Sequence, residues 1–274
     1  MKSKNNDASV EFLYGSFLGR VLLKVIMASR IDRLFVRFLW SKSSRHIIKG
    51  YVKRHNIEIS DAEIKKFDSF GKFFERRKNN INFDSELNHL ISPCDGWLSC
   101  YKIDENSSFS IKNSRYRLSD FLEDKKTAKA FIGGDCLIFR LCASDYHRYC
   151  YIDDGYQGGQ HNIEGVLHSV QPIAAENMPV YVLNRRSWTL LITENFGPVV
   201  QTEIGALVVG GIVNKTENYR FSKGEEKGHF ELAGSTIVLI FQKNKIKLKK
   251  DILKSLSESE EVRVSYGGHI GEAV

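Results

Sequence analysis

After a polar start, Val10, Leu13, Tyr14, Phe17, Leu18, Val21, Leu22 and Val25 recur at alternating steps of three and one. This is the apolar stripe of an amphipathic helix. A second stripe, Ile31, Leu34, Phe35, Phe38 and Leu39, follows, with Arg30, Arg33 and Arg37 on another face. Arg20 and Lys24 interrupt the first stripe, whereas a membrane-spanning helix needs roughly 20 consecutive apolar residues. The segment is therefore not expected to span a bilayer, and it shows no cleavable signal pattern. Helical periodicity resumes over residues 60–77, where Ser60-Asp61-Ala62-Glu63 offers an N-terminal capping box. From about Leu90 the pattern changes to short β-rich runs: 129–132, 136–141, 180–183, 188–193, 199–204, 206–213 and 237–242. Turns such as Gly133-Gly134-Asp135 and Asn195-Phe196-Gly197-Pro198 separate them. The predicted fold class is α+β: a helical N-terminal region, residues 1–80, then one mostly antiparallel β-rich domain, residues 81–274.

The 274 residues, 42% hydrophobic and 27% charged, suffice to bury a large core and exclude a disordered or fibrous protein. The formal charge of +7 is unevenly placed: residues 1–60 carry 12 Lys/Arg against 4 Asp/Glu, the remainder 28 against 29. The whole basic excess thus accompanies the apolar-striped helices and the bulky Phe17, Phe35, Phe38 and Trp40. Such helices suit the interface of an anionic bilayer; the alternative is that the stripes pack on the protein's own core. No nucleic-acid reader module accompanies the basic residues, so nucleic acid is not an expected partner. The five cysteines, Cys94, Cys100, Cys136, Cys142 and Cys150, lack the paired close spacing of a zinc site. Free thiols in a reducing compartment, and no metal, are expected.

Four segments carry candidate chemistry: Ser92-Pro93-Cys94-Asp95-Gly96, Asp145-Tyr146-His147-Arg148, Lys223 to Gly228, and Ala233-Gly234-Ser235-Thr236. Singly, each has a structural explanation as a turn, a strand histidine, a solvated loop or a strand entry. Together, in this order, they resemble the phosphatidylserine decarboxylase family. The similarity runs from about Phe73 to the C-terminus. It includes Phe73-Phe74-Glu75-Arg76-Arg77, Leu167-His168-Ser169-Val170-Gln171-Pro172, Glu203-Ile204-Gly205-Ala206, Val209-Gly210-Gly211-Ile212 and Tyr266-Gly267-Gly268-His269-Ile270-Gly271.

The resemblance implies a core that is barrel-sandwich-like, with duplicated sheet features. It also implies self-cleavage between Gly234 and Ser235, giving a large chain, 1–234, and a small chain, 235–274, capped by a pyruvoyl group made from Ser235. Loss of CO2 leaves a carbanion that needs an electron sink, and a ketone condensed with the substrate amine provides one. The Ser235 hydroxyl would attack the Gly234 carbonyl; elimination gives dehydroalanine, which hydrolyses to pyruvoyl and ammonia. A residue without Cβ at 234 permits the close approach.

Serine needs a base, itself oriented by a third group. Asp95 matches the aspartate of the family's Asp–His pair, and His147 matches the histidine linked to decarboxylation, a plausible proton donor. The family's second histidine is replaced by Cys150. Either His168, at a position usually aromatic, has taken over as processing base, or Cys150 or His147 serves, or processing is lost. Arg148 is a candidate carboxylate or phosphate ligand, while Glu225 and Glu226 read as turn residues. The expected function is conversion of phosphatidylserine to phosphatidylethanolamine by a peripheral homodimer on the cytoplasmic face of the membrane. The alternatives are decarboxylation of a free amino acid and an unprocessed membrane-binding pseudoenzyme.

Overall fold

The computed structural model describes residues 8–16, 18–19, 31–78, 81–111, 114–166, 168–206, 211–215, 217–232 and 235–274. Its spine is an eight-stranded antiparallel sheet. The strand order is Tyr219–Phe221, Gly155–Ile163, Arg186–Thr193, Gly197–Gly205, Ser235–Phe241, Asp135–Leu141, Gly96–Lys102 and Val262–Val264. Ser235–Phe241 reads Ser-Thr-Ile-Val-Leu-Ile-Phe, and all seven residues are buried. A β-branched, nearly unbroken apolar run is what a strand covered on both faces requires. It pairs along its whole length with Gly197–Gly205 on one side and Asp135–Leu141 on the other.

Strand alternation divides these side chains between two cores. Val238 and Ile240 join Trp188, Val200 and Ile204, under the helices Leu118–Leu122 and Pro172–Asn177. Ile237, Leu239 and Phe241 join Leu191 and Val199 on the opposite face. Ser235 is in phase with this second set. That face also receives Tyr149, Cys150 and Phe230 from a three-stranded sheet of Ile212–Asn214, Glu226–Phe230 and Arg148–Cys150. Another three-stranded sheet joins His89–Ile91, His269–Ala273 and Ile246–Leu248. The α+β expectation holds; among the described residues four antiparallel sheets form and none closes into a barrel.

The two N-terminal stripes divide between core and solvent. Helix Ala8–Gly15 buries Val10 and Tyr14 in the first core and leaves Phe12 exposed. Helix Ile31–Trp40 buries Leu39 with Ile48, Ile64, Phe70, Phe73, Phe74 and Leu232, while Leu34, Phe35 and Phe38 stay exposed. Phe17, Val21, Leu22, Val25 and Arg30 lie outside the described residues.

Four expectations change in whole or in part. Residues 60–77 form two short helices, Asp61–Ile64 and Phe70–Phe74, because Ser69 caps a fresh start by accepting from the Lys72 amide at 3.3 Å. The Ser60–Glu63 capping box is present. Residues 129–132 are not a strand: Asp124 caps helix Lys125–Lys129, and Gly133, at φ 74, turns the chain afterwards. Residues 180–183 form a helical turn behind Pro179, a residue whose fixed φ suits the start of a helix. Of 206–213, only Ile212 and Val213 are in a described strand, Ile212–Asn214; 207–210 lie outside the described residues.

Candidate active site

Ser235 is buried and opens the central strand, opposite Gly205 and Leu141. Ala233 and Gly234, and so the expected scissile bond, lie outside the described residues. Each strand partner of Ser235 leads to a histidine. Beyond Leu141, Asp145 closes a turn: its amide donates to the Cys142 carbonyl at 2.9 Å, and its carboxylate accepts from the Cys142 amide at 2.7 Å. Arg263 grips the same carboxylate. His147 follows, and its carbonyl accepts from the Phe230 amide at 2.9 Å. The segment approaching residue 235 is thereby drawn against the histidine.

His147 is enclosed. Its Nδ1 lies 2.9 Å from the Asp145 carbonyl, which can only accept, so Nδ1 carries the hydrogen. Its Nε2 is buried without a partner among the described residues, and the ring packs on Phe74 at 4.2 Å between centroids. Burial pushes its pKa down to about 4, against the weaker opposing pull of the Asp145 charge. At neutral pH it is thus a neutral imidazole with an open lone pair.

The second arm runs through Asn184. Its side-chain nitrogen donates to the carbonyls of His168 and Gly205, each at 2.8 Å, and its oxygen accepts from the His168 amide at 2.9 Å. His168 is therefore one amide away from the strand partner of Ser235. Its Nδ1 lies 3.3 Å from the Tyr14 hydroxyl, which also accepts from the Ser169 amide at 2.8 Å. In the tautomer with Nδ1 protonated, Tyr14 accepts both hydrogens and Nε2 is left basic. Burial lowers the His168 pKa as well.

Asp95 and Cys150 assemble elsewhere, around Tyr266. The Asp95 carboxylate accepts from the Tyr266 amide at 2.8 Å and from Lys78 at 2.9 Å. Burial raises its pKa, but these two contacts outweigh it and the carboxyl titrates below its ordinary range. The orienting contacts on this aspartate are thus a lysine and an amide, where the expectation was a histidine. Cys150 has its sulfur 4.0 Å from the Ser92 carbonyl, and burial pushes its thiol up to about 12. A protonated thiol is a poor base, which argues against Cys150 in that role. Arg148 is committed to structure, donating to the Glu75 carbonyl at 2.6 Å and to Glu226 at 2.8 Å. Glu225 accepts from Tyr219 and the Ser222 amide within its turn.

Other groups were not singled out by sequence reasoning. Glu203 and Lys227, both fully buried, pair at 2.9 Å. Asn214 donates to Glu203 at 3.0 Å and accepts from Lys227 at 3.2 Å and from Tyr149 at 2.9 Å. Both charges lie in motif segments, but nothing short of strand register signals that they meet. Two cavities flank the region. One, about 560 Å³ and apolar, is lined by Phe35, Leu39, Tyr51, Phe70, Phe74 and Leu232. The other, about 700 Å³, is lined by Arg76, Arg77, Lys78, Asp95, Asp145 and Arg263.

A sequence model of the family described as phosphatidylserine decarboxylase matches residues 67–272. The phosphatidylserine decarboxylase proenzyme 2 of Clostridium acetobutylicum is 41% identical over 269 residues, covering 97% of this chain and 92% of the relative. The phosphatidylserine decarboxylase proenzyme of Clostridium kluyveri is 38% identical, covering 96% of this chain and 91% of its own. That of Clostridium tetani is also 38% identical, with 98% and 93% covered.

Proposed function

The chain belongs to the phosphatidylserine decarboxylase family, and from that premise we propose how its own residues carry the reaction. It is a carboxy-lyase that removes CO2 from phosphatidylserine. The chain cuts itself between Gly234 and Ser235, and Ser235 becomes a pyruvoyl group at the head of the small chain, 235–274. The observation that carries this reading is the position of Ser235. It is buried at the start of a strand paired on both sides over seven residues, so the small chain stays in the sheet after cutting. A ketone at 235 fits its surroundings, since Ser235 is buried and the buried Nε2 of His147 has no partner among the described residues. That ketone supplies the electron sink for decarboxylation.

Each side chain then has a task. His168, with Nδ1 hydrogen-bonded to Tyr14 on the first-core side of the sheet, takes the Ser235 hydroxyl proton during self-cleavage, which requires the side chain of this first strand residue to turn off the second-core face. His147 takes a proton from solvent on Nε2 and passes it to the substrate carbon that has lost CO2, its other nitrogen being held by the Asp145 carbonyl. Arg76, Arg77, Lys78 and Arg263, with Glu58, Glu63, Asp95 and Asp145, line a cavity of both charge signs, suited to a head group that carries an ammonium beside phosphate and carboxylate. The apolar cavity beside Phe74 takes the acyl portion. Exposed Leu34, Phe35 and Phe38, with exposed Arg37 on the same helix, lay the protein on an anionic membrane surface. No helix among the described residues is long and apolar enough to cross a membrane. A homodimer on the cytoplasmic face follows from the family resemblance.

Intact mass of the small chain, together with turnover of phosphatidylserine vesicles, tests the reading. The expected small chain begins with a pyruvoyl at 235, and Ser235→Ala stays one inactive chain. A wild type that remains uncut overturns self-processing; turnover of free serine but not of vesicles overturns the membrane reading.

A further inference from the structure

On the face of the sheet toward which Ser235 points, the apolar core is interrupted by polar side chains. Strand register places Ser187 opposite Glu203, and Thr189 opposite Gln201. All four are in phase with Leu191 and Val199, which belong to that face's core. The Ser187 hydroxyl, the Thr189 hydroxyl and both polar atoms of the Gln201 amide are buried and have no hydrogen-bond partner among the described residues. Ser187 is 2% exposed, and Thr189 and Gln201 are wholly enclosed. Glu203 adds its ion pair with Lys227 and its bond to Asn214. The chain therefore buries a cluster of polar groups in a region where apolar side chains would fill space without penalty.

The cluster has a direction. Leu191 and Val199, paired and fully buried, close one end, and Leu239 faces Gln201 from the neighbouring strand. At the other end Glu203 faces Ile237, and Ser235 lies two residues further along on the same face. Diagonal neighbours of this kind have Cα atoms about 7–8 Å apart. Buried polar atoms in such number are satisfied in folded proteins by enclosed water.

We propose that this polar cluster binds water and supplies the hydrolysis completing pyruvoyl formation, with Glu203 and Lys227 as the acceptor and donor that move its protons. The inference rests on the self-processing reading above. A dehydroalanyl residue at 235 shifts one proton from its nitrogen to its methylene carbon and becomes an imine. The oxygen of one water bonds to the imine carbon, the carbon–nitrogen bond breaks, and both water protons leave with the nitrogen as ammonia. No oxidant or reductant is required. The step happens once per chain and consumes one water, so a closed store with no channel to solvent is sufficient. Glu203 and Lys227 offer an acceptor and a donor side by side for the two proton movements.

Thr189→Val combined with Gln201→Met tests the proposal in the full-length chain. Apolar groups of similar shape in place of unpartnered polar atoms are neutral or stabilising for the fold, so a purely structural role predicts normal processing. Borohydride reduction of the native protein, before denaturation, traps the state of residue 235. A pyruvoyl becomes a lactoyl cap that blocks N-terminal sequencing; an unhydrolysed imine becomes alanine, which sequences. The variant is expected to cut as wild type does but to form the ketone about tenfold more slowly, with alanine accumulating at position 235. Glu203→Gln with Lys227→Met, which removes both charges together, is expected to slow the same step by about a hundredfold. Lactoyl caps appearing at the wild-type rate in folded variants overturn the proposal, as does a folded Thr189→Val, Gln201→Met variant that never cuts. An uncut wild type, by contrast, removes the self-processing reading beneath it.

Discussion

The two histidines reached from the strand partners of Ser235 are held in opposite ways. His147 is fixed by its own turn: the Asp145 carbonyl two residues earlier holds Nδ1, and Phe74 covers the ring. His168 is fixed from afar, by Tyr14 at a separation of 154 residues and by Asn184 at 16. The first arrangement encloses the ring and fixes one nitrogen, which on the proposed function suits one proton position reused at every turnover. The second depends on the docking of the N-terminal helix Ala8–Gly15 and on a neutral hydroxyl at the place where a triad has a carboxylate. A base so oriented is weaker, but self-cleavage needs to occur only once per chain. On the proposed function, the contrast matches the single processing event to His168 and the repeated chemistry to His147.

Exchanging the two roles by mutation gives the largest expected effect. His168→Ala should slow appearance of the 235–274 chain by about 10²–10⁴-fold, the usual contribution of a positioned base. His147→Ala should still cut, and lose decarboxylation by a similar factor. Denaturing gels followed over time, with vesicle turnover measured on the cut fraction, separate the two. Cleavage lost in His147→Ala and kept in His168→Ala inverts the assignment.

A smaller effect lies in stability against pH. His147 titrates near 4 in the folded chain and near 6.5 when unfolded. Its folded pKa is depressed, so between these values the unfolded state binds the proton and the folded state does not. Stability is therefore full above about 6.5 and falls as pH drops toward 4. The 2.5-unit interval, at about 1.36 kcal/mol per unit, gives a loss on the order of 3 kcal/mol. His168 is lowered in the same direction and adds to the slope. Urea unfolding across this window should show the loss in wild type and a flatter profile in His147→Gln. An unchanged profile in the variant would place the acid sensitivity elsewhere.

The sequence makes the central strands legible because the cause is local. The run from Ser235 to Phe241 is apolar and β-branched almost throughout, and 136–141, 188–193 and 199–204 are nearly as plain. Residues 129–132 and 180–183 mislead because short apolar runs do not distinguish a strand from a helical turn. The deciding groups there are Asp124 and Pro179, just outside the runs. For the candidate site, motif order picks out Ser235, His147 and Asp95, but not what holds them. The contacts of Asp95 with Lys78 and the Tyr266 amide, of His168 with Tyr14, and of Glu203 with Lys227 are all long-range. They follow from register and docking, which no single stretch of sequence encodes.

The smallest expected effect sharpens the comparison most, because it acts through orientation alone. Tyr14→Phe keeps the buried ring and removes the only oxygen seen at His168 Nδ1 among the described residues. The fold should lose about 1–3 kcal/mol, the cost of leaving the buried Ser169 amide without this partner. If Tyr14 positions the base, cutting should slow by about tenfold, the kinetic equivalent of a similar energy. Decarboxylation by molecules already cut should not change, since His147 is held by its own turn. Thermal unfolding, cutting rate and turnover of the cut enzyme can be measured on one preparation. Loss of stability with an unaltered cutting rate would reduce Tyr14 to a packing residue and leave His168 without an orienting partner. The division of labour between the two histidines would then rest on Asn184 alone.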